Sequence, residues 1–127
     1  MKIVYLSQDS PTDQPFFAHL HDNAELLTCV PQKGMVESVL GSQKIDAVIG
    51  LETQLDMMKS IIRQFPMSNY ALMSSLATDD FHEATEGYGF FMQLPLSPSQ
   101  KDAEQFLQLL QTITVGPIVS ARRAEAS

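Results

Sequence analysis

The sequence predicts an α/β domain in which five parallel strands alternate with five helices. Three observations carry this. Short, β-branched apolar runs alternate with segments whose apolar residues recur at helical spacing. The connections are short, so the helices themselves must be the crossovers between parallel strands, which places them on both faces of one sheet. The chain has 127 residues, the usual length of a single domain.

The elements follow in order. Lys2 to Leu6 is apolar on both faces, as a strand buried between two helical layers must be. It begins at once, so Met1 is expected to be the natural start. Ser10-Pro11-Thr12-Asp13 offers a cap, a proline for the first helical position and an early acid, and Phe16, Phe17 and Leu20 then mark the first helix. Glu25 to Val30 is the second strand. Met35, Val36, Val39 and Leu40 mark a second helix, with Gly41 at the expected terminating position. Ile45 to Leu51 is the clearest strand in the chain. Leu55, Met58, Ile61, Ile62 and Phe65 share one face of a third helix that Pro66 stops, because proline disfavours helical geometry in the residue before it.

Tyr70 to Met73 is the fourth strand, and Thr78 is expected to cap a weak fourth helix carrying Phe81 and Ala84, broken by Gly87 and Gly89. Phe90 to Leu94 is the fifth strand. Ser97-Pro98-Ser99-Gln100 reads as a capping box opening a fifth helix with Phe106, Leu107, Leu109, Leu110 and Ile113. Periodicity ends after Thr114. The domain is therefore expected over residues 1–115, and residues 116–127 read as a linker or tail.

Composition narrows the function. A formal net charge of −7 argues against nucleic-acid or anionic-membrane binding, since both depend on clustered Lys and Arg. Hydrophobic residues make up 44% of the chain and charged ones 18%, which supports a folded core. Cys29 is the only cysteine and excludes an internal disulfide, in keeping with a reducing cytoplasm. No apolar run approaches the ~18 residues of a spanning helix, so no membrane role and a cytoplasmic location are expected.

The layout, together with Phe91-Met92-Gln93-Leu94-Pro95 before a capped last helix, resembles the CheY-like receiver domain of bacterial two-component response regulators over roughly residues 1 to 115. The resemblance implies a flavodoxin-like three-layer sandwich with strand order 2-1-3-4-5. It also implies where chemistry would sit: acids after strand one holding Mg²⁺, an aspartate ending strand three that accepts phosphate, a Ser or Thr ending strand four, and a Lys-Pro after strand five. Here the first of these reads Ser7-Gln8-Asp9, Leu51 stands in the acceptor position with Glu52 next to it, Ser74 or Ser75 fills the hydroxyl position, and Leu94 replaces the lysine before Pro95. The loop after strand three is also shortened.

Carboxylates, metal and lysine serve one reaction, and leucine cannot accept a phosphoryl group, so their joint loss speaks against catalysis. The expectation is a pseudo-receiver: no enzyme, no cofactor, no metal. Glu52 has two readings, an acid favourable in the first turn of helix three or a mimic of a permanently charged acceptor. His19 and His21 point about 200° apart on a helix and cannot share a metal; His82, among Asp79, Asp80 and Glu83, reads as part of a solvated face. Phe91 matches the aromatic switch position, with packing as its ordinary role.

The resemblance further implies a docking or dimerising surface built from helix four, strand five and helix five, here Phe81, Tyr88, Phe90, Phe91, Gln108 and Gln111. Its partner would be a second copy, another protein, or an output domain following the tail. The rival reading has the same crevice hold a nucleotide or flavin. Its support is thin, because Ser7 to Thr12 contains no glycine and Pro11 removes a backbone donor.

Overall fold

The computed structural model describes residues 1–9 and 13–115. Five strands, β1 (Lys2–Leu6), β2 (Glu25–Cys29), β3 (Ala47–Leu51), β4 (Asn69–Met73) and β5 (Phe90–Leu94), pair in parallel in the order β2-β1-β3-β4-β5. Five helices connect and follow them: α1 (Pro15–Asn23), α2 (Lys33–Ser42), α3 (Leu55–Gln64), α4 (Thr78–Thr85) and α5 (Gln100–Val115). The expected sheet order is the observed one.

Side chains on a strand alternate between faces, and here both faces are apolar. Ile3, Tyr5, Ala47, Ile49 and Ala71 point to one side, where Phe16, Phe17 and Leu20 of α1 meet Phe106 and Leu110 of α5. Val4, Leu6, Val48, Tyr70 and Leu72 point to the other, against Val36 and Leu40 of α2, Met58 and Ile61 of α3, and Phe81 of α4. A buried side chain of this size contributes about 1.5–3 kcal/mol relative to exposure, so the two cores dominate the fold's stability. The first core is largely aromatic: Phe16 meets Phe17 and Phe106 edge-on, at 4.8 and 6.0 Å between ring centres.

Several helix boundaries differ from the sequence reading. Ser10, Pro11 and Thr12 lie outside the described residues, and α1 begins at Pro15, with Gln14 as an extended cap. A helix begun at Pro11 would place Pro15 in its second turn, where its ring clashes with the preceding turn. Gly41 does not terminate α2; the helix runs on to Ser42 and stops at Gln43, in extended backbone that any residue adopts. Thr78 is the first residue of α4 and not its cap, which is Ala77 without a side-chain bond. Asp79 and Asp80 in the first turn supply the favourable charge instead.

The capping box of α5 lies two residues later than expected. Ser99 Oγ accepts the Asp102 N–H at 3.2 Å, and Asp102 Oδ2 accepts the Ser99 N–H at 2.8 Å. An acid at the third helical position reciprocates the serine better than Gln100 does, because it is charged. Gly87 and Gly89 do break α4, with φ of 85° and 72° that other residues rarely adopt.

In β5 the pairing slips by one residue: Tyr70 faces Phe90, yet Ala71 faces Met92, so Phe91 is a bulge. The extra residue turns both Phe91 and Met92 toward the α1–α5 core, while Phe90 faces the opposite one. No helix among the described residues is long and apolar enough to cross a membrane.

Candidate functional site

In an open parallel sheet, ligands sit beyond the carboxyl ends of the strands where the winding direction switches, here between β1 and β3. That corner is occupied by the chain itself. β3 passes without a loop into a 3-10 turn, Glu52–Gln54, and then into α3. The turn lays the Gln54 amide across the switch point: its Oε1 accepts the Leu51 N–H at 2.9 Å, and its Nε2 donates to the Leu6 carbonyl at 3.3 Å. Gly50 makes room for this, since a Cβ there would lie 3.2 Å from Gln54 Oε1 and run into the Met58 thioether.

One residue further along the edge, Glu52 reaches from the end of β3 to the end of β4. Its Oε1 accepts the Ser75 N–H at 2.9 Å and the Ser74 hydroxyl at 3.0 Å, and the Ser75 hydroxyl lies 3.2 Å from Oε2. The Ser75 backbone bond, then the Ser74 hydroxyl, hold the carboxyl below its ordinary value of 4.5, outweighing a smaller opposing effect of desolvation. Ser74 is itself 4% exposed, so its hydroxyl is a buried polar group that needs this partner.

The bonding continues. Ser74 Oγ also accepts the Leu76 N–H at 3.0 Å, and the Leu76 carbonyl accepts Gln93 Nε2 of β5 at 2.8 Å. Glu52, the β4–α4 connection and β5 are thus one hydrogen-bonded set.

The sequence reading placed eight residues at this pocket. The structure brings Glu52 and Ser74 together and leaves the others apart. Leu51 is half-buried and packs toward the α1–α5 core, and Leu94 is fully buried in that core, meeting Ser74 only through its backbone carbonyl. Neither side chain lines an open pocket, because each continues the apolar face of its strand. Pro95 is exposed, as are Gln8 and Asp9, and Ser7 Oγ accepts the Asp9 N–H at 3.1 Å. Gln54, Leu76 and Gln93 were missed. For Gln54 a signal existed, because a glutamine three residues after a strand end has the spacing of a reciprocal cap.

Mg²⁺ does not fit these residues. Glu52 is committed to two serines and Gln54 turns a donor, its Nε2, onto Leu6. That leaves Asp9, a single exposed carboxylate, which holds only weakly an ion that takes an octahedron of oxygen ligands and gives up its waters reluctantly. Among the described residues no three His, Cys, Asp or Glu side chains lie where they could hold a metal.

The expected docking face is corrected at one residue. Phe81 is 5% exposed and belongs to the core against α2 and α3, because α4 turns its apolar side inward. Phe90 is half-buried, edge-on to both Tyr70 and Phe81 at 6.4 Å. Phe91 is half-buried with its ring 5.3 Å from Phe106. Tyr88 leans onto α3, where Arg63 donates to its hydroxyl at 2.6 Å and the Lys59 ammonium lies 5.0 Å from its ring centre. Gln108 and Gln111 are exposed. With Met92, Gln105, Leu109 and Thr112, Gln108 lines a shallow groove of about 400 Å³ between β5 and α5.

No protein-family model matches the sequence, and no curated protein does. Solved structures do. A response regulator from Thermotoga maritima superposes with a TM-score of 0.70 over 87% of this chain and 97% of its own, at 16% identity. The fold is that of the CheY-like receiver domain. A chemotaxis response regulator of Vibrio cholerae gives 0.69 over 86% and 97% at 12% identity. A CheY-like receiver domain protein from Methanospirillum hungatei gives 0.69 over 91% and 98% at 9% identity. At such identities the likeness is one of receiver fold, and the chemistry has to be read from the residues.

Proposed function

We propose that this chain is a pseudo-receiver: a signalling module with the receiver fold that takes no phosphoryl group and works by docking to protein. The observation that carries the reading is the corner between β3 and β4. Leu51 is the residue that the resemblance matches to the acceptor, and the carboxylate beside it is already bonded to Ser74 and Ser75. Phosphoryl transfer is mostly positioning and charge stabilisation, and the neutral Ser7, Gln8 and Leu94 supply neither metal ligands nor a compensating cation.

The docking surface is the β5–α5 face. From Gln105 to Val115 the last helix carries no charged side chain, in a chain whose net charge is −7. Leu109 and Ile113 are 39% and 43% exposed there, beside the exposed Gln108 and Gln111. Interface cores are depleted of charge, and an uncharged stripe is where an acidic chain can approach a second copy, a protein partner or its own output domain without repulsion.

Incubation with acetyl phosphate or beryllofluoride and Mg²⁺ tests the reading. The protein is expected to gain no phosphoryl mass and to keep its amide spectrum; stoichiometric labelling overturns the proposal.

A further inference from the structure

The hydrogen bonds at the carboxyl edge do more than fill an abandoned pocket. Glu52 stands at the end of β3, Ser74 and Ser75 at the end of β4, and Gln93 in β5, so the set crosses three adjacent strands. No proton is asked to serve two of the links. Ser74 Oγ donates its one proton to Glu52 and accepts from the Leu76 N–H, so the two bonds are compatible and reinforce one another. The Leu76 carbonyl, on the far side of the same residue, takes the Gln93 amide.

Gln93 is followed in the paired register by Leu94 and preceded by Met92, which lines the groove with Leu109. Phe91, the aromatic at the switch position, is the bulged residue of β5 and faces Phe106 in the core. It offers no hydrogen bond to the β4–α4 connection. Gln93 does.

We propose that Glu52, Ser74 and Gln93 form a brace that ties the former acceptor corner to the β5–α5 docking face, with Gln93 as the positioning residue that joins the two. The carboxylate fixes the β4–α4 connection through Ser74 and Ser75; that connection in turn fixes Gln93, and through it the course of β5 beside Met92. The charge that a phosphoryl group would bring from outside is supplied by the chain, so the docking face is held in one arrangement. The inference rests on the reading that the acceptor corner takes no phosphate.

The test is a pair of substitutions followed at two places by nuclear magnetic resonance on the full chain. Glu52→Gln removes the charge at constant shape. It is expected to speed amide exchange at Ser75 and Leu76 several-fold and to shift the methyl resonances of Met92 and Leu109. In a Gln93→Met background, similar in size but without the amide, Glu52→Gln is expected to act on Ser75 as before and to leave Met92 and Leu109 unmoved. An unchanged circular dichroism spectrum establishes that each variant folds, and Ser74→Ala provides a second way to cut the brace.

A groove response that is the same with or without the Gln93 amide overturns the brace, as does a response that never leaves Ser75. Failure of the underlying reading shows differently, as phosphoryl mass gained by the unmodified protein.

Discussion

The Glu52 carboxylate accepts the Ser75 backbone N–H at 2.9 Å, closing the gap between the ends of β3 and β4. A backbone donor is fixed by the strand that carries it, so this bond needs little ordering beyond that of one glutamate side chain. The Ser74 hydroxyl, buried and without another acceptor among the described hydrogen bonds, gives the same carboxylate a part in the fold's stability. A glutamate at this place therefore has a structural task as well as a charge.

Acid should undo this link first. The folded-state carboxyl lies below 4.5 because the charged form is the one hydrogen-bonded, so Glu52 contributes stability above pH 4.5 that is lost as pH falls through its lowered value. The Ser75 amide proton reports it, moving upfield as the carboxylate protonates. Glu52→Gln should remove that titration and flatten the acid limb of the stability curve. A Ser75 resonance that titrates unchanged in the variant would show that another group is responsible.

Gly50→Ala should be costly although Gly50 has ordinary strand geometry. A methyl group there meets the thioether of Met58, which is 1% exposed and has no solvent to move into, and it presses on Gln54 Oε1. Overpacking of this kind costs about 1–3 kcal/mol. Urea denaturation is the measurement, and the loss should be accompanied by faster exchange of the Leu51 amide, which Gln54 now covers. A variant as stable as the parent would show that Met58 repacks freely.

The five strands were legible because each combines apolar faces with short length, and those features survive whatever the loops do. The parallel order came from the resemblance, and the sheet has that order. Helix starts were the weaker part, since Ser97, Ser99 and Asp102 offer several caps and only three-dimensional reciprocity chooses Ser99 with Asp102. At the site, Leu51 and Leu94 could be assigned positions by counting, but not orientations; both follow their strands into the core. The Glu52 bonds to Ser74 and Ser75 join residues 22 and 23 apart, and no local pattern announces a contact between two strand ends. Phe81 is placed on the docking face by the resemblance alone, and a short helix with so few apolar positions offers no pattern to show that this residue faces in.

Tyr70 should ionise far later than an ordinary tyrosine. Its phenol is buried at the end of α3, where it donates to the Phe65 carbonyl at 2.7 Å, and burial pushes its pKa up to about 12 from 10.0 despite the opposing effect of Ser68. The folded state holds the protonated form, so this contribution is complete below pH 10 and is lost as pH rises from 10 towards 12. An alkaline titration of phenolate absorbance should show a step coinciding with unfolding that is smaller in Tyr70→Phe, the remainder belonging to Tyr5, whose phenol burial also pushes up. A reversible step in the folded protein near pH 10 that vanishes in Tyr70→Phe would contradict it.

Leu51→Asp places an aspartate at the position proposed above to match the receiver's acceptor, and should still leave the protein unlabelled by acetyl phosphate and Mg²⁺. The new carboxylate would replace a side chain that packs toward the α1–α5 core, next to the carboxylate of Glu52 and beneath an amide that already spans β1 and β3. Two acids so close repel, which favours protonating one of them and leaves no metal to draw the charge together. Supplying the missing cation by Leu94→Lys fails for a separate reason, because Leu94 is fully buried and a lysine there must either lose its charge or leave the core. The informative variant is the combination of Leu51→Asp and Gln8→Asp with Glu52→Ala, which clears the brace and adds an exposed acid after β1. If Leu51→Asp alone takes up phosphoryl mass, the corner is more open than the Gln54 and Glu52 bonds imply; if only the combination does, the brace and the missing acid after β1 together keep the proposed acceptor position closed.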